Sequence, residues 1–424
     1  MFAIMEPEVN IRLDKIIFHI DVNSAFLSWE AVYRLAHLGE PYDLREIPSA
    51  VAGDTSLRRG IILAKSIPAK QCGIQTGEAI WQAQEKCPGL LLVAPDYELY
   101  EKCSRAFLDI LREYSDVVEQ YSIDEAFIDM SASCHLFGTA WEAAGEMRER
   151  IKRELGFTVN IGISSNKLLA KMASDFRKPD RVHTLYPEEI PEKMWPLPVS
   201  DLFFVGRAAA KRLFSMGIRT IGQLAGADPV WLRSVLKKQG EVIWAFANGT
   251  DLSPVLAAPM PNKGYGNSTT IPFNVEDAAT AKRVLLALSE TLGERLRADR
   301  AEVSVVSVGI RYADMAYASH QERLRIPTNL TLELYEAACG LFGELWDGRP
   351  IRHLGVHTGG VGEERPYWQM ELFGHMDHGK LAEMDRTLDC IRGRYGRDAV
   401  LRAGFLNQPV DHMCGGYPGS GGRV

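Results

Sequence analysis

The pattern of predicted secondary structure changes twice along the chain, and this change restricts the possible folds more than any other feature. Strand and helix patterns alternate to about residue 190, which indicates an α/β or α+β domain. Residues 199–250 contain only helical patterns separated by glycine turns. From 264 to about 355 the order is strand, helix, two strands, helix and strand. That order predicts a small α+β domain with its helices on one face of an antiparallel sheet.

Proline-rich segments mark the boundaries between these regions. Four prolines lie between residues 187 and 198, and residues 257–263 hold two more in a predicted linker. Beyond about residue 356 there is one helical pattern, at 380–395. The 424 residues fit two to four domains at roughly 100–200 residues each. The fold class predicted from these patterns is therefore α+β and multidomain.

Composition excludes several classes of protein. With 46% hydrophobic and 24% charged residues, the chain is not broadly disordered. It has no run of about 18 apolar residues, so no transmembrane helix and no membrane partner are expected. The first 14 residues are acidic and do not resemble a signal peptide. The seven cysteines include no Cys-x-x-Cys pair, which favours a reduced, cytoplasmic protein over a disulfide framework or a zinc site.

The charge distribution is uneven. The formal net charge of −7, from 48 Lys and Arg against 55 Asp and Glu, argues mildly against a nucleic-acid partner. The average hides an asymmetry. Residues 1–130 hold 12 basic and 21 acidic residues (net −9), whereas residues 205–240 hold 7 and 1 (net +6). The basic segment is where contacts to nucleic-acid phosphates are expected.

Three acidic residues are candidates for a metal site. Asp21 ends an apolar strand pattern, and Asp124 and Glu125 lie at or near the bend of a hairpin predicted for residues 117–130. Three carboxylates brought together repel one another unless a cation neutralises them, and Mg²⁺ prefers such oxygen ligands. The spacing alone also allows, and on its own favours, a helix cap at Asp21 and a solvated turn at 124–125.

Other residues are candidates for binding phosphate. Lys70, Lys171 and Lys178 are near predicted turns or helix ends, although each taken singly fits a solvated surface charge. The peptide N–H groups from Val22 to Ala25 open a predicted helix, where a phosphate is favoured.

A glycine turn at Gly206 is a candidate nucleic-acid contact. It lies between helical patterns, next to Arg207, Lys211 and Arg212, and such a turn presents backbone N–H groups to a phosphate. A simple packing turn within a helical bundle explains the same residues equally well.

Five stretches, in the same order along the chain, resemble the Y-family DNA polymerases, the translesion group that includes DinB and UmuC. They span about residues 15–356, and the second is the most specific. They are FHIDVNSAF at 18–26, YSIDEAFID at 121–129, GISSNKLLAK at 162–171 with RKPD at 177–180, the helix-hairpin-helix at 205–206, and KGYGNSTT at 263–270.

The resemblance implies a right-hand polymerase fold. Its parts would be a palm at 1–30 and 80–190, small fingers at 31–79, a helical thumb with the helix-hairpin-helix at 191–256, a linker at 257–264, an α+β little finger at 265–356, and a C-terminal tail at 357–424.

It also implies a role for individual residues. Asp21, Asp124 and Glu125 match the catalytic carboxylates that bind two Mg²⁺, with the Val22 carbonyl as an extra ligand. The remaining matches are the steric gate that excludes a ribose 2′-OH, two triphosphate-binding lysines and the DNA-binding residues of the thumb: Phe26; Lys70 and Lys178; Gly206, Arg207 and Lys211.

Some positions depart from the DinB pattern. A Tyr-x-x-Arg pair is replaced by Ile67 and Lys70, a threonine by Ala64, and the second acid of the first motif by Asn23. Ile67 cannot donate a hydrogen bond, and a lysine is a point charge rather than a bidentate fork. These residues resemble UmuC, so the subfamily and the strength of triphosphate binding stay open on the sequence alone.

A peptide after the predicted little finger resembles the Gln-Leu-x-Leu-Phe segment by which bacterial polymerases bind the sliding clamp. Leu372 and Phe373 would fill an apolar pocket and Gln369 would donate an orienting hydrogen bond, with Met370 between them. An ordinary amphipathic segment is the alternative.

The resemblance thus predicts a template-directed DNA polymerase of low fidelity, acting in DNA repair, damage tolerance and replication across lesions as a mutator. Its expected partners are primer-template DNA, a dNTP and a bacterial-type sliding clamp, and it is expected to be a cytoplasmic monomer. The alternative is a weakly active or non-catalytic scaffold of the same fold that binds primer-template or clamp. A nucleotide cyclase sharing the palm would not need residues 199–356.

Overall fold

The computed structural model describes residues 15–54, 60–258, 260–363 and 378–413. The chain divides into two units. The first comprises residues 1–51, 63–76 and 82–259, and the second comprises residues 52–62, 77–81 and 260–424. Each unit has its own apolar core.

Helices and strands follow one another to residue 247. In chain order they are β1 (Ile17–Val22), α1 (Ala25–Tyr33, continued by a π-helical turn at Arg34–Leu38), β2 (Ser49–Ala52), β3 (Ile62–Lys65), α2 (Ile67–Gln71), α3 (Ile80–Lys86), β4 (Leu91–Val93), α4 (Tyr97–Arg112), β5 (Val118–Gln120), β6 (Glu125–Asp129), α5 (Ala140–Leu155), β7 (Val159–Ser164), α6 (Lys167–Ser174), β8 (Val182–Thr184), α7 (Ile190–Lys193), α8 (Arg207–Ser215), α9 (Ile221–Ala225), α10 (Pro229–Leu236) and α11 (Lys238–Ala247).

A five-stranded sheet forms the centre of the first unit. Its order is β5-β6-β1-β7-β8, and β1 pairs antiparallel with both β6 and β7. Every residue of β1 is buried, because helices cover both faces of the sheet. Side chains alternate between faces along a strand. Phe18 and Ile20 therefore enter the main core, whereas Ile17 and His19 face α6. The same alternation places Asp21 on the α6 side.

Most predicted elements of this region are confirmed, including the hairpin of β5 and β6. The sequence of residues 45–80 predicts short strands and turns, and this prediction was wrong at one place, because Ile67–Gln71 is helical. Ser66 caps this helix, its side-chain oxygen accepting from the Ala69 N–H at 3.1 Å. Pro68 fits the first turn, where its missing N–H has no partner to lose. β2 lies between β3 and β4 in a separate three-stranded sheet.

The helical region predicted for residues 199–250 is confirmed. Helices α8 to α11 surround an apolar core to which each contributes a fully buried side chain: Leu213, Ile221, Leu232 and Ile243.

The second unit is built on a four-stranded antiparallel sheet in the order β11-β10-β12-β9. Its elements are β9 (Gly266–Val275), α12 (Ala278–Ala298), β10 (Ala301–Tyr312), β11 (Tyr317–Thr328), α13 (Thr331–Leu345), β12 (Ile351–Glu363) and α14 (His378–Tyr395). As predicted, α12 and α13 pack together against the sheet.

Helix α14 joins this unit through buried ion pairs. Arg297 of α12 pairs with Asp385 at 3.1 Å and with Asp389 at 2.6 Å. Glu290, also in α12, is almost fully buried and pairs with Arg392 at 2.6 Å and with Arg402. The segment after β12 is therefore part of the folded unit wherever the structure describes it.

None of the helices in the described ranges combines the length and the apolar character needed to cross a membrane.

Candidate active site

A cavity of about 540 Å³ opens in the first unit. Its walls come from the end of β1, the start of α1, the β3–α2 segment, the β5–β6 turn and the loop after α6. Six of the residues predicted from the sequence line it together: Asp21, Val22, Phe26, Lys70, Asp124 and Lys178.

Strand pairing brings the three carboxylate residues together. In the antiparallel register of β1 and β6, Asp21 lies opposite Glu125. The Val22 N–H donates to the Asp124 carbonyl oxygen at 3.0 Å. The reading of Asp21 as a helix cap was wrong, because Ser24 is the N-cap of α1 and Asp21 lies buried within β1. The solvated-turn reading was also wrong, since Asp124 and Glu125 are both half-buried.

Asp21 is a buried carboxylate with too little positive charge around it. Its Oδ1 accepts from Lys178 Nζ at 2.9 Å. Burial nevertheless dominates and raises the pKa of Asp21 to about 7. Burial disfavours the ionised form, and a nearby cation favours it. A divalent cation at this carboxylate would supply the missing charge.

Glu125 is held from behind by a lysine and a histidine. Lys171 Nζ donates to Glu125 Oε2 at 2.7 Å, and the buried His19 ring lies 3.7 Å from the same oxygen. Burial alone would raise the pKa of Glu125, but the nearby His19 ring and the hydrogen bond from Lys171 hold that pKa well below its usual range. Burial lowers the pKa of His19 to about 4.

Two phosphate-binding interpretations need correction. Lys171 is buried against Glu125 and is not among the residues that line the cavity. The N–H groups of Val22 and Asn23 are occupied as well, because they donate to the carbonyl oxygens of Asp124 and Thr158, each at 3.0 Å. Three lysines do line the cavity: Lys65, Lys70, which is exposed, and Lys178.

The donor set fits a hard divalent ion, although the side chains do not already form a closed cage. Asp124 is held by Ser122, whose hydroxyl donates to Asp124 Oδ1 at 2.6 Å. Across the described part of the chain, no three His, Cys, Asp or Glu side chains are grouped as a metal site. Carboxylate oxygens are nevertheless the ligands that Mg²⁺ takes, together with substrate phosphates.

Phe26 lines the cavity from the first turn of α1. Its ring stacks on Tyr100 of α4, with centroids 4.4 Å apart and planes 10° apart. Tyr100 is fully buried and lies outside the cavity lining. Sequence reasoning missed Tyr100, which lies outside the five stretches, and His19, which lies in the first stretch but was given no role. The available signal for Tyr100 was its spacing of three residues from Tyr97, which places both rings on one face of α4.

The predicted DNA-binding residues lie together at the start of α8. Gly206 is its N-cap residue, and Gly206, Arg207 and Lys211 are all exposed. A Cβ added at Gly206 would meet no atom within 4 Å, so close packing does not require glycine there. The predicted clamp-binding residues, Gln369, Met370, Leu372 and Phe373, lie outside the described residues.

Comparison with known families matches most of the chain. Residues 20–175 match the impB/mucB/samB family, and residues 262–372 match the C-terminal domain of that family. Residues 187–218 match the helix-hairpin-helix (HHH) motif of the IMS family.

Curated relatives agree along nearly their whole length. DNA polymerase IV of Clostridium acetobutylicum is 41% identical over 396 residues, which are 93% of this chain and 99% of the relative. DNA polymerase IV of Acetivibrio thermocellus is 38% identical, with 93% and 98% covered. DNA polymerase IV 2 of Bacillus subtilis is 38% identical, with 93% and 95% covered.

A solved structure shares the fold. The Y-family DNA polymerase chimera Dbh-Dpo4(243-245)-Dbh matches with a TM-score of 0.70 at 21% identity, covering 82% of this chain and 99% of the chimera. The α+β multidomain polymerase fold predicted from the sequence is therefore confirmed.

The chain belongs to the impB/mucB/samB family, the Y-family of DNA polymerases. Within that family it is a DinB-like, DNA polymerase IV-type enzyme, a DNA-directed DNA polymerase of translesion synthesis. Asn23, Ala64 and Ile67, which resemble UmuC, therefore do not define its subfamily. Enzymes of this family use divalent metal ions and act on primer-template DNA with dNTPs.

Proposed function

We propose that the cavity of the first unit is the nucleotidyl-transfer site, and that Asp21, Asp124 and Glu125 hold two Mg²⁺ there with the Val22 carbonyl. The observation that carries this proposal is the register of β1 and β6, which places Asp21 opposite Glu125. When bound, the ions would activate the primer 3′-OH and stabilise the leaving phosphate. Catalysis otherwise depends on positioning and on neutralising charge.

The residues around the carboxylates divide two tasks. Lys171 keeps Glu125 ionised and, with the buried His19 ring beside it, fixes its orientation from within the protein. Lys178 and Lys70 face the cavity and bind the triphosphate of the incoming nucleotide. Lys178 lies 2.9 Å from both Asp21 and Asp175, so it is held near the carboxylates before substrate arrives.

Phe26 selects the sugar in this proposal. The ring lines the cavity four positions after Val22, as do residues of the β3–α2 segment. An aromatic ring at the deoxyribose excludes a 2′-OH by contact. Phe26→Ala is expected to admit ribonucleotides, measured as the ratio of kcat/KM for a dNTP to that for the matching rNTP. An unchanged ratio would contradict the gate assignment.

We assign the regions of the right hand as the sequence predicts: palm at 1–30 and 80–190, fingers at 31–79, thumb at 191–256, linker at 257–264 and little finger at 265–356. The five-stranded sheet, the helices α8 to α11 and the four-stranded sheet support this assignment. In the thumb, Gly206, Arg207 and Lys211 contact the DNA backbone, which agrees with their exposure.

The segment Gln369, Met370, Leu372 and Phe373 is proposed to bind a bacterial-type sliding clamp, and the enzyme is proposed to act as a cytoplasmic monomer. Deleting residues 369–373 should weaken clamp binding, measured by surface plasmon resonance, without changing distributive synthesis on a short template. Equal clamp affinity after the deletion would remove this assignment.

Primer extension with Mg²⁺ tests the catalytic assignment. Asp124→Ala should abolish extension, because a ligand at the reacting phosphate is lost, while primer-template binding persists. Asp109→Ala is the matched control, since Asp109 is exposed on α4 and pairs only locally with Arg112. Undiminished extension by Asp124→Ala would overturn the proposal and leave a primer-template or clamp scaffold as the function of this site.

A further inference from the structure

Phe26 lies within a group of aromatic side chains. Its ring is 4.4 Å from that of Tyr100 in a parallel stack, 5.9 Å from that of Trp29 and 6.0 Å from that of Tyr97. The Tyr97 ring meets Phe26 edge-on, at 85°. Only Tyr100 offers its face to Phe26 in a parallel plane, so the position of Phe26 depends most directly on Tyr100.

Tyr100 is itself fixed by buried polar contacts. Its hydroxyl donates to Glu30 Oε1 at 2.9 Å. The other oxygen of Glu30 accepts from Arg34 Nε at 3.1 Å, and Arg34 Nη1 donates to Glu40 at 2.7 Å. Tyr100 and Glu30 are both buried, at 0% and 3% exposure. A buried hydroxyl with a charged acceptor is costly to displace. The Tyr100 ring is therefore held in the plane on which Phe26 rests.

The selection of deoxyribose over ribose depends on how firmly the Phe26 ring is held in place. A 2′-OH adds a single oxygen atom to the nucleotide, and an aromatic ring that yields by about the radius of an atom no longer excludes it. Phe26 itself is only half-buried and has no polar atom to anchor it. The resistance of the Phe26 ring to displacement must therefore come from the aromatic side chains packed against it.

We propose that Tyr100 is a positioning residue for sugar selection: its ring supports Phe26 from behind, and its hydrogen bond to Glu30 prevents that support from shifting. The inference rests on the proposed role of Phe26 as the steric gate. It assigns to a residue outside the cavity a share of the discrimination between dNTPs and rNTPs.

Single-nucleotide incorporation kinetics test this role. Tyr100→Leu removes the stack and should lower the dNTP-to-rNTP ratio of kcat/KM by about three- to tenfold, the range expected from the coupling of one aromatic pair. Tyr100→Phe keeps the ring and loses only the hydroxyl bond to Glu30, so it should lower the ratio by a smaller factor, about twofold.

Tyr114 provides the matched control. It is also buried and aromatic, it follows the end of α4, and its hydroxyl donates to Glu146 at 3.3 Å, but its ring contacts Phe137 instead of Phe26. Tyr114→Leu and Tyr114→Phe should lower thermal stability without changing the dNTP-to-rNTP ratio. If the substitutions acted only by loosening the core, the Tyr100 variants and the Tyr114 variants would change the dNTP-to-rNTP ratio alike.

The results separate the inference from the gate assignment. If Phe26→Ala lowers the ratio and Tyr100→Leu does not, the role of Tyr100 is overturned and the gate stands. If Phe26→Ala leaves the ratio unchanged, both are overturned. Should Tyr100→Leu fail to fold, Tyr100→Phe decides by the same ratio: no decrease relative to Tyr114→Phe contradicts the role of the hydroxyl bond.

Discussion

At the scale of single residues, Lys171 shows how burial changes the role that a charged side chain can have. A lysine at this position in the sequence fits a surface charge or a phosphate ligand, yet its ammonium lies between Glu125 and the rings of Tyr121 and Phe203, at 5.1 and 5.4 Å. The side chain is 10% exposed. Its charge is therefore directed at the Glu125 carboxylate and not at the cavity.

Replacing this lysine should impair catalysis. Lys171→Met leaves the half-buried Glu125 without its cation, and we expect kcat to fall by tenfold or more with a lower Tm, because a buried charge that loses its partner is strongly destabilising. Lys152→Met is the control, since Lys152 forms an exposed pair with Asp180. Steady-state extension and differential scanning calorimetry measure both effects. A normal kcat in Lys171→Met would show that Glu125 needs no such support.

The three carboxylate residues of the candidate site could be predicted from the sequence. The buried residues that pack behind the site could not. Asp21, Asp124 and Glu125 stand in motifs whose strand pattern already places them at neighbouring ends. Tyr100 and His19 act through contacts between distant segments: His19 meets Ser174, 155 positions away. Local periodicity carries no information about which core side chains meet across such separations.

At the scale of elements, the short helix α2 decides where Lys70 lies. Five residues with a proline in the first turn are too few for a helical pattern to emerge, so the sequence predicted only short strands and turns there. The helix forms because the Ser66 side chain makes hydrogen bonds both to the first turn of the helix and to the segment at residues 47–49. The Ser66 hydroxyl oxygen accepts from the N–H groups of Ala69 and Ser49, each at 3.1 Å, and donates to the Ile47 carbonyl at 2.7 Å.

Removing this cap should weaken nucleotide binding. Ser66→Ala is expected to cost about 1–2 kcal/mol of stability and to raise the KM for dNTP several-fold, because the helix that carries Lys70 loses its anchor. Thr139→Ala, at the exposed capping box of α5, is the matched control. It should destabilise the protein by a similar amount with KM unchanged. An equal KM in the two variants would contradict a role for Ser66 in positioning Lys70.

At the scale of the whole molecule, charge is separated along the chain, with net −9 in residues 1–130 and net +6 in residues 205–240. Arg207, Lys211 and Arg212 of the basic segment are exposed on α8. The overall charge of −7 therefore says little about DNA binding, whereas the distribution predicts phosphate contacts in the basic segment.

DNA affinity should depend steeply on salt. Replacing both Arg207 and Lys211 by alanine should reduce the slope of log K against log salt concentration by about 1–2, because each phosphate contact releases about one counterion. Fluorescence anisotropy with a labelled primer-template measures this slope. Lys102→Ala together with Arg112→Ala, at exposed positions of α4, should leave it unchanged. The same slope in the Arg207 and Lys211 variant would place the DNA contacts elsewhere.

The buried ion pairs of α14 affect the order in which the two units can fold during synthesis. Glu290 finds its guanidinium partners at Arg392 and Arg402, about a hundred positions further along the chain. Phe405 and Val410 also belong to the apolar core of the second unit. During translation the first unit can fold as it leaves the ribosome, whereas the Glu290 carboxylate of the second unit gains these partners only after Arg392 and Arg402 have emerged. The first unit can therefore be folded before the core of the second unit is complete.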